Sequence, residues 1–267
     1  MISRRKVFLL VLFSILSFSS FSQQDTLLPK AKFNWDYIHS GFLDARDQIL
    51  APLHWDGVQW MTIATIVPIE SVLIFADGDK NVQEFAQQNR NNITNFLEKD
   101  IGDPLGSGLY PAIIIGSSYI AGCIFHKEKP KRFAMLAVKS IVISGATVAI
   151  LKYISGRHRP YQDNPSNPLD WVGPVLNPTD FSFPSGHTVI AFSLASMLAM
   201  EYPRPVIIPI LAYGLATITA YGRINGNYHW ASDVILSAAI GYFTSKLVYT
   251  HNNWGKLQRH KKSPPKE

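Results

Sequence analysis

The chain has 267 residues, 47% of them hydrophobic, and a formal net charge of +6. This length allows one domain of ordinary to large size with some length left for an appendage. The single cysteine, Cys123, excludes an intrachain disulfide, and because it lies within an apolar run we expect it to be a small buried side chain.

The positive charge is confined to three clusters, which argues against a nucleic-acid-binding protein, whose cations are spread over one face. The clusters lie at Arg4–Lys6, His126–Arg132 and Gly255–Glu267, and the remainder of the chain is net negative. Cations beside apolar segments are typical of the cytoplasmic anchors of membrane proteins. The charge pattern therefore favours a membrane protein over a nucleic-acid partner.

Residues 1–22 combine a basic start, an apolar run and small residues at the spacing of a signal-peptidase site. This pattern predicts a signal peptide cleaved before Gln23, with an uncleaved anchor as the alternative. In both cases the next segment, residues 23–106, is expected to begin outside the cytoplasm.

Within that external segment, residues 58–75 are apolar enough to cross a membrane but contain Pro68 and Glu70. A carboxylate inside a bilayer is energetically costly. We therefore expect a peripheral helix, lying at the membrane surface or against the rest of the fold. The polar stretch 77–103 is expected to form an external cap.

Residues 107–250 contain five further apolar stretches of about the length that crosses a bilayer, roughly 20 residues. They are residues 107–125, 133–151, 187–202, 205–221 and 231–250. The predicted fold class is thus all-α, a membrane-embedded bundle of five helices, or six if 58–75 is counted. With His126–Arg132 and the basic tail 251–267 in the cytoplasm, the positive-inside rule places residues near 152, 187 and 229 on the external face.

Three short motifs lie at those external helix ends. The first is Lys152 with Arg159-Pro160, the second is Pro184-Ser185-Gly186-His187, and the third is Arg223 with His229 and Asp233. Phosphoryl transfer requires positioned positive charge, a nucleophile and an acid for the leaving group. The three motifs together supply all of these.

The order and spacing of these residues resemble the signature of the type 2 phosphatidic acid phosphatase (PAP2) superfamily, KxxxxxxRP, PSGH and SRxxxxxHxxxD. That superfamily also includes vanadium haloperoxidases and bacterial acid phosphatases. The resemblance covers roughly residues 130–250, so that 107–250 is expected to be the catalytic bundle. Gly222 departs from the pattern, because the family usually has serine before the arginine.

The third motif has a physical logic of its own, since His229 and Asp233 are four residues apart at the start of a predicted helix and share one face. An aspartate there can fix the imidazole tautomer and leave the other ring nitrogen free to attack phosphorus. The resemblance implies that His229 is the nucleophile, forming a phosphohistidine, and that Asp233 orients it.

Ser185 can cap the helix that follows it, and Gly186 lets the backbone approach a phosphate oxygen. The resemblance implies that His187 is the general acid. It also implies that three cations, Lys152, Arg159 and Arg223, bind the nonbridging phosphate oxygens. Arg157 and His158 lie in the variable spacer of the first motif, where a solvated loop is at least as good an interpretation as substrate contact.

Cysteine, histidine and carboxylate residues show no metal-ligand spacing, so the sequence predicts neither a metal nor another cofactor. The leading hypothesis is a metal-independent phosphatase of the bacterial inner membrane with its site facing the periplasm. Its substrate would be a lipid phosphate or pyrophosphate of the undecaprenyl pyrophosphate, phosphatidate, phosphatidylglycerophosphate or lipid A class. Two alternatives remain: a vanadate-dependent haloperoxidase, and a non-catalytic protein that binds anionic lipid.

Overall fold

The computed structural model describes residues 31–175 and 181–262, the last ten of these by backbone alone. The helices are α1 Trp35–Leu50, α2 Gly57–Phe75, α3 Gly78–Gln88, α4 Asn92–Phe96, α5 Asp103–Gly106, α6 Leu109–Ile124, α7 Glu128–Ser155, α8 Gly186–Glu201, α9 Ile207–Asn225 and α10 Ala231–Lys262. A 3-10 turn over Ala51–His54 follows α1, and a π-helical turn over Leu97–Gly102 follows α4. The predicted signal peptide, residues 1–22, lies outside the described residues.

The all-α prediction is confirmed. Each of the five apolar stretches between residues 107 and 250 forms a helix, α6 to α10. Among the described residues the β-type pairing is limited to an isolated bridge between Arg157 and Trp171.

The long helices α7, α8 and α10 form the centre of the bundle and contact one another through small polar side chains. The Oγ atoms of Ser140 and Ser245 are 2.6 Å apart, and those of Ser144 and Ser193 are 2.8 Å apart. Gly241 lies so close to α8 that a Cβ atom there would be 3.0 Å from the backbone nitrogen of Ser193. Small residues and short hydroxyl contacts of this kind let helices approach closely in lipid, where burial of apolar surface does not drive association.

Three helices, α2, α7 and α9, are long and apolar enough to cross a membrane among the residues that the structure describes. A fourth crossing results if Asn92–Gly106 and Leu109–Ile124, which meet at a bend of 54°, are counted as one span. Helix α2 buries none of its residues against the rest of the protein despite its apolar composition. Its exposed hydrophobic surface suits contact with lipid. With three or four candidate spans, the chain is a multi-pass membrane protein.

Helices α1 and α3 pack against opposite ends of α10. Asp44 of α1 accepts a hydrogen bond from the Nδ2 of Asn252, and Asp79 of α3 accepts one from the backbone nitrogen of Ser232. These two α10 residues are twenty positions apart, which corresponds to about 30 Å along a helix. Residues 31–106 therefore reach both ends of the bundle, with α2 connecting them, and do not form a segment at one end as the sequence suggested.

The expectation that Cys123 is buried was wrong, because the residue is exposed on α6. An apolar run predicts burial when water surrounds the fold. A helix that faces lipid can carry apolar side chains on every face, so the composition of the run does not determine which residues face the protein interior.

Candidate active site

The three motifs meet at one end of the bundle, where α7 ends, α8 begins and the turn between α9 and α10 is located. Helix α7 ends at Gly156 in the left-handed conformation, with φ of 56°, and a Cβ atom there would collide with the carbonyl oxygen of Gly173. Glycine is required at this position, and it turns the chain so that the arginines after it enter the site.

His229 and Asp233 form the centre of the arrangement. The Nδ1 of His229 lies 3.3 Å from the Oδ2 of Asp233, and the two residues are 2% and 0% exposed. The same carboxylate oxygen accepts hydrogen bonds from the backbone nitrogen of Trp230, at 2.8 Å, and from the Oγ of Ser182. A carboxylate held by these donors keeps the proton of His229 on Nδ1 and leaves a lone pair on Nε2.

The imidazole of His229 is held in its neutral form. Burial lowers the pKa of His229 to about 3, with the charge of Lys152 acting in the same direction and the hydrogen bond to Asp233 opposing it. Protonation would remove the Nε2 lone pair, so a lowered pKa keeps this nitrogen available as a nucleophile at every pH well above 3.

The second motif forms the N-terminus of α8. Ser185 is the N-cap residue, and its Oγ accepts a hydrogen bond from the backbone nitrogen of Thr188. Its own backbone nitrogen donates to the carbonyl oxygen of Asp233 at 3.2 Å, which fixes the start of α8 to the start of α10. The backbone N–H groups of Gly186 and His187 belong to the first turn, where helix geometry favours the binding of an anion.

The three predicted phosphate-binding cations, Lys152, Arg159 and Arg223, lie close enough to His187 to act on its charge. Burial, together with these cations, lowers the pKa of His187 to about 4, and Asp103 opposes the shift. Lys152 donates through Nζ to the carbonyl oxygens of Phe181 and Ser182, at 2.7 and 2.9 Å, which uses two of its three N–H donors. The guanidinium of Arg223 lies 4.3 Å from the ring centre of Tyr228. Stacking on an aromatic ring holds the planar group in place.

Asp103 connects the second and third motifs, a contact that the sequence pattern did not predict. Its Oδ1 accepts a hydrogen bond from an NH group of Arg223 at 2.7 Å and lies 3.3 Å from the Nε2 of His187. Gly106, three residues further along the chain, lies against His187 so closely that a Cβ atom there would be 2.5 Å from the Cβ of the histidine. The stretch expected to be an external cap thus forms one wall of the site.

For Arg157 the solvated loop, which the sequence favoured at least as much as substrate contact, is wrong. The side chain is completely buried and forms ion pairs with Asp79, at 2.7 Å, and with Asp233, at 2.8 Å. Glu70 of α2 lies near this group as well, and it interacts electrostatically with Asp79, Asp233 and Arg157. Glu70 is therefore partly buried beside a group of charged residues and is not a carboxyl surrounded by lipid alone.

His158 points in another direction, toward two acidic residues of the loop that follows. Its Nδ1 is 3.1 Å from the Oδ1 of Asp163 and 3.3 Å from the Oδ2 of Asp170. These three residues could together hold a metal ion, although their spacing in the sequence did not suggest a ligand set. The loop gathers them because the backbone nitrogen of His158 donates to the carbonyl oxygen of Asp170.

The departure from the family pattern at Gly222 has a packing explanation. A Cβ atom at this position would lie 3.1 Å from the Cα of Glu98 in the π-helical turn, which is closer than most Cβ contacts. Glu98 is buried and accepts a hydrogen bond from the Nδ2 of Asn225 at 2.7 Å. Glycine lets α9 approach this turn closely.

Comparison with known proteins gives matches concentrated in the same part of the chain. Residues 133–256 match the PAP2 superfamily. Over 128 residues the chain is 33% identical to the lipid A 1-phosphatase of Porphyromonas gingivalis, a match that covers 46% of this chain and 25% of that protein. Over 132 residues it is 29% identical to the undecaprenyl-diphosphatase of Sulfolobus acidocaldarius, covering 49% of this chain and 61% of that protein.

The chain thus spans a quarter and about three fifths of the lengths of these two relatives. Among solved structures, it is similar to LpxE of Aquifex aeolicus with a TM-score of 0.48 and 22% sequence identity. That match covers 64% of this chain and 94% of the other.

Proposed function

We propose, because residues 133–256 match the PAP2 superfamily, that this protein is a metal-independent phosphatase that removes phosphate from a lipid phosphate or pyrophosphate. The observation that carries the proposal is the buried His229–Asp233 pair beside the N-terminus of α8. A neutral imidazole nitrogen, a histidine at a helix N-terminus and three cations around it are the parts that phosphoryl transfer needs.

In the proposed reaction the Nε2 of His229 attacks phosphorus, and the bond from phosphorus to the lipid oxygen breaks. The bound phosphate anion offsets the cations that lower the pKa of His187, so that His187 takes up a proton and donates it to that departing oxygen. Asp233 stabilises the imidazole of His229 while it carries the phosphoryl group. His187 then accepts a proton from a water molecule, whose oxygen attacks the phosphohistidine and releases inorganic phosphate. Lys152, Arg159, Arg223 and the first N–H groups of α8 would bind the nonbridging oxygens.

A lipid substrate is supported by the position of the site at the end of helices with exposed apolar surfaces. A headgroup there would reach the cations while its hydrocarbon chain stayed in the bilayer. The two relatives named above are a lipid A 1-phosphatase and an undecaprenyl-diphosphatase, so substrates of both classes belong in the test.

We expect the purified protein in detergent to release phosphate from at least one of undecaprenyl pyrophosphate, phosphatidate, phosphatidylglycerophosphate and lipid A, with a chelator present throughout. Activity should be unchanged by EDTA, because side chains supply every catalytic group in this proposal. Absence of release from all four lipids would reject the phosphatase. Halide oxidation after loading with vanadate would then favour the haloperoxidase, and lipid binding without turnover would favour a non-catalytic protein.

We propose further that the active-site end of the bundle faces the periplasm of a bacterial inner membrane. The opposite end carries the cations at the start of α7, Lys127, Lys129, Lys131 and Arg132, whereas the loop after α7 contains Asp163 and Asp170. The positive-inside rule then assigns the basic end to the cytoplasm. Because α2 connects the two ends, residues 31–54 would be cytoplasmic, which is the opposite of the exported start expected from residues 1–22.

Labelling of single cysteines tests this orientation, after Cys123→Ser removes the native thiol. On intact spheroplasts we expect an impermeant maleimide to label Leu169→Cys, in the loop of the active-site end. We expect it to label Arg46→Cys, on α1, only after the membrane is opened. Both side chains are exposed, so the reversed labelling pattern would overturn the orientation without bearing on the chemistry.

A further inference from the structure

We propose that Asp79 and Arg157 are positioning residues for the histidine nucleophile, and that helix α3 therefore supports the catalytic machinery. The inference rests on the proposed function. Asp79 lies outside residues 133–256, the segment matched by the superfamily. The proposed role of Asp79 is inferred from its contacts in the folded chain.

Arg157 is fixed by all of its hydrogen-bond donors. A guanidinium has five N–H groups, and five hydrogen bonds are present. Nε and Nη2 both donate to the carbonyl oxygen of Pro168, at 3.0 and 2.8 Å. Nη1 donates to the Oγ of Ser232, at 2.7 Å, and to the Oδ1 of Asp233, at 2.8 Å. Nη2 also donates to the Oδ2 of Asp79 at 2.7 Å. A guanidinium held in this way has one orientation relative to Asp233.

Asp79 holds the other side of this arginine and the start of α10 together. Its Oδ1 accepts a hydrogen bond from the backbone nitrogen of Ser232 at 2.8 Å, and its Oδ2 accepts one from the Oγ of the same residue at 2.6 Å. Ser232 directly precedes Asp233, so Asp79 fixes the backbone from which the catalytic carboxylate extends. Asp79, Ser232 and Asp233 are all fully buried, where solvent does not weaken these contacts.

Helix α3 itself is fixed against the turn that carries the nucleophile. The Nε2 of Gln83 donates to the Oδ1 of Asn227 at 2.7 Å, and the Nε2 of Gln87 donates to the carbonyl oxygen of Ile224 at 3.1 Å. Both acceptors lie just before His229 in the chain. Helix α3 therefore supports the third motif at two places, through the α9–α10 turn and through Ser232.

The charges of this cluster explain why Asp79 would affect chemistry as well as structure. Asp233 uses Oδ1 for Arg157 and Oδ2 for the imidazole of His229. The imidazole gains positive charge when Nε2 bonds to phosphorus, and Asp233 stabilises that charge. Arg157 opposes this, since its own positive charge is 2.8 Å from Asp233. Asp79 balances Arg157 and leaves the charge of Asp233 available to the histidine.

The test is steady-state kinetics of Asp79→Asn in the full-length protein, with a lipid substrate that the wild type hydrolyses. We expect kcat to fall by about 10- to 100-fold, by analogy with the loss caused when the outer-shell partner of a metal-ligating histidine is removed. KM should change by less than about 3-fold, because the phosphate-binding cations are untouched. The matched control is Asp77→Asn, which removes the same charge from an exposed position two residues away and should leave both constants unchanged.

Two further variants separate positioning from general support of the fold. Ser232→Ala removes the hydroxyl that bridges Asp79 and Arg157 without changing any charge, and we expect kcat to fall with KM unchanged. Combining Asp79→Asn with Arg157→Lys should reduce kcat little more than the stronger single variant, because both changes act on one network.

Wild-type kcat in Asp79→Asn, or losses that multiply in the double variant, would overturn the inference while leaving the proposed function in place. A loss of active protein with unchanged kcat per active site would also overturn it, since that result indicates a structural role alone. A wild-type protein that hydrolyses none of the lipids would instead reject the proposed function. If Asp79→Asn does not fold, Ser232→Ala decides between these outcomes.

Discussion

Replacement of His229 by glutamine is expected to reduce phosphate release by at least about 10³-fold, because removal of a nucleophile leaves only binding and electrostatic stabilisation. Glutamine keeps the size and polarity of the side chain and cannot form the phosphoenzyme. The wild type, quenched in alkali after a short incubation with ³²P-labelled lipid, should carry acid-labile label that is absent from His229→Gln. This variant is the one expected to lose the most activity.

The pH dependence of the wild type provides a second measurement at this residue. His229 has a pKa lowered to about 3 by burial, so its nitrogen stays unprotonated as the pH falls from 8 to 5. We expect the burst of phosphoenzyme to persist over this range. If the burst instead disappeared as the pH fell, with an apparent pKa near 6.5, the ordinary value for histidine, the nucleophile would not be a buried neutral imidazole.

The control for His229→Gln is His54→Gln, which makes the same change at an exposed histidine just before α2. It should retain wild-type activity and labelling. Thermal unfolding in detergent should give similar midpoints for both variants. Substantial turnover by a well-folded His229→Gln protein would exclude the phosphohistidine route.

Replacement of His187 by asparagine is expected to slow hydrolysis of a lipid phosphate by about 10²- to 10⁴-fold, the usual contribution of a general acid. The effect should depend on the leaving group. With p-nitrophenyl phosphate the departing phenolate needs no proton, so formation of the phosphoenzyme should be nearly unaffected. Its hydrolysis still needs His187 to accept a proton from water, and that step should become limiting.

His187→Asn should therefore release a burst of about one p-nitrophenol per active site, followed by slow turnover. The matched control is His126→Asn, at an exposed position with φ of 54°, a conformation that asparagine accepts readily. It should behave as the wild type with both substrates. Equal losses on the lipid and on p-nitrophenyl phosphate, without a burst, would show that His187 does not act as the acid.

The spacer of the first motif illustrates why part of the site escaped prediction from the sequence. The sequence identified Lys152 and Arg159 but did not predict where the side chain of Arg157 points. A spacer between two fixed residues has no periodicity from which the buried side could be inferred. Burial of an arginine requires partners that compensate its charge. Those partners are Asp79, from a helix more than seventy residues earlier, and Asp233, and only folding brings them together.

The positions of Asp103 and α2 were not predicted from the sequence, for related reasons. Asp103 belongs to a polar stretch whose composition fits a solvated cap, and its contacts with Arg223 and His187 depend on how α5 packs against α8. Helix α2 has the composition of a membrane span, yet Glu70 argued against that assignment. In the structure Glu70 is partly buried near Asp79, Asp233 and Arg157, so its presence does not exclude α2 from crossing a membrane.

By itself the sequence determined the helical class, the apolar helices between residues 107 and 250, the cap at Ser185 and the His229–Asp233 pair. These features depend on residues close together in the chain, where composition and a helical period of 3.6 fix which side chains are neighbours. The tertiary structure alone decided that α2 joins the two ends of the bundle, that Arg157 is buried and that α3 contacts the start of α10 beside Asp233. Such contacts join residues far apart in the sequence, and they depend on the packing of whole helices and on the pairing of buried charges.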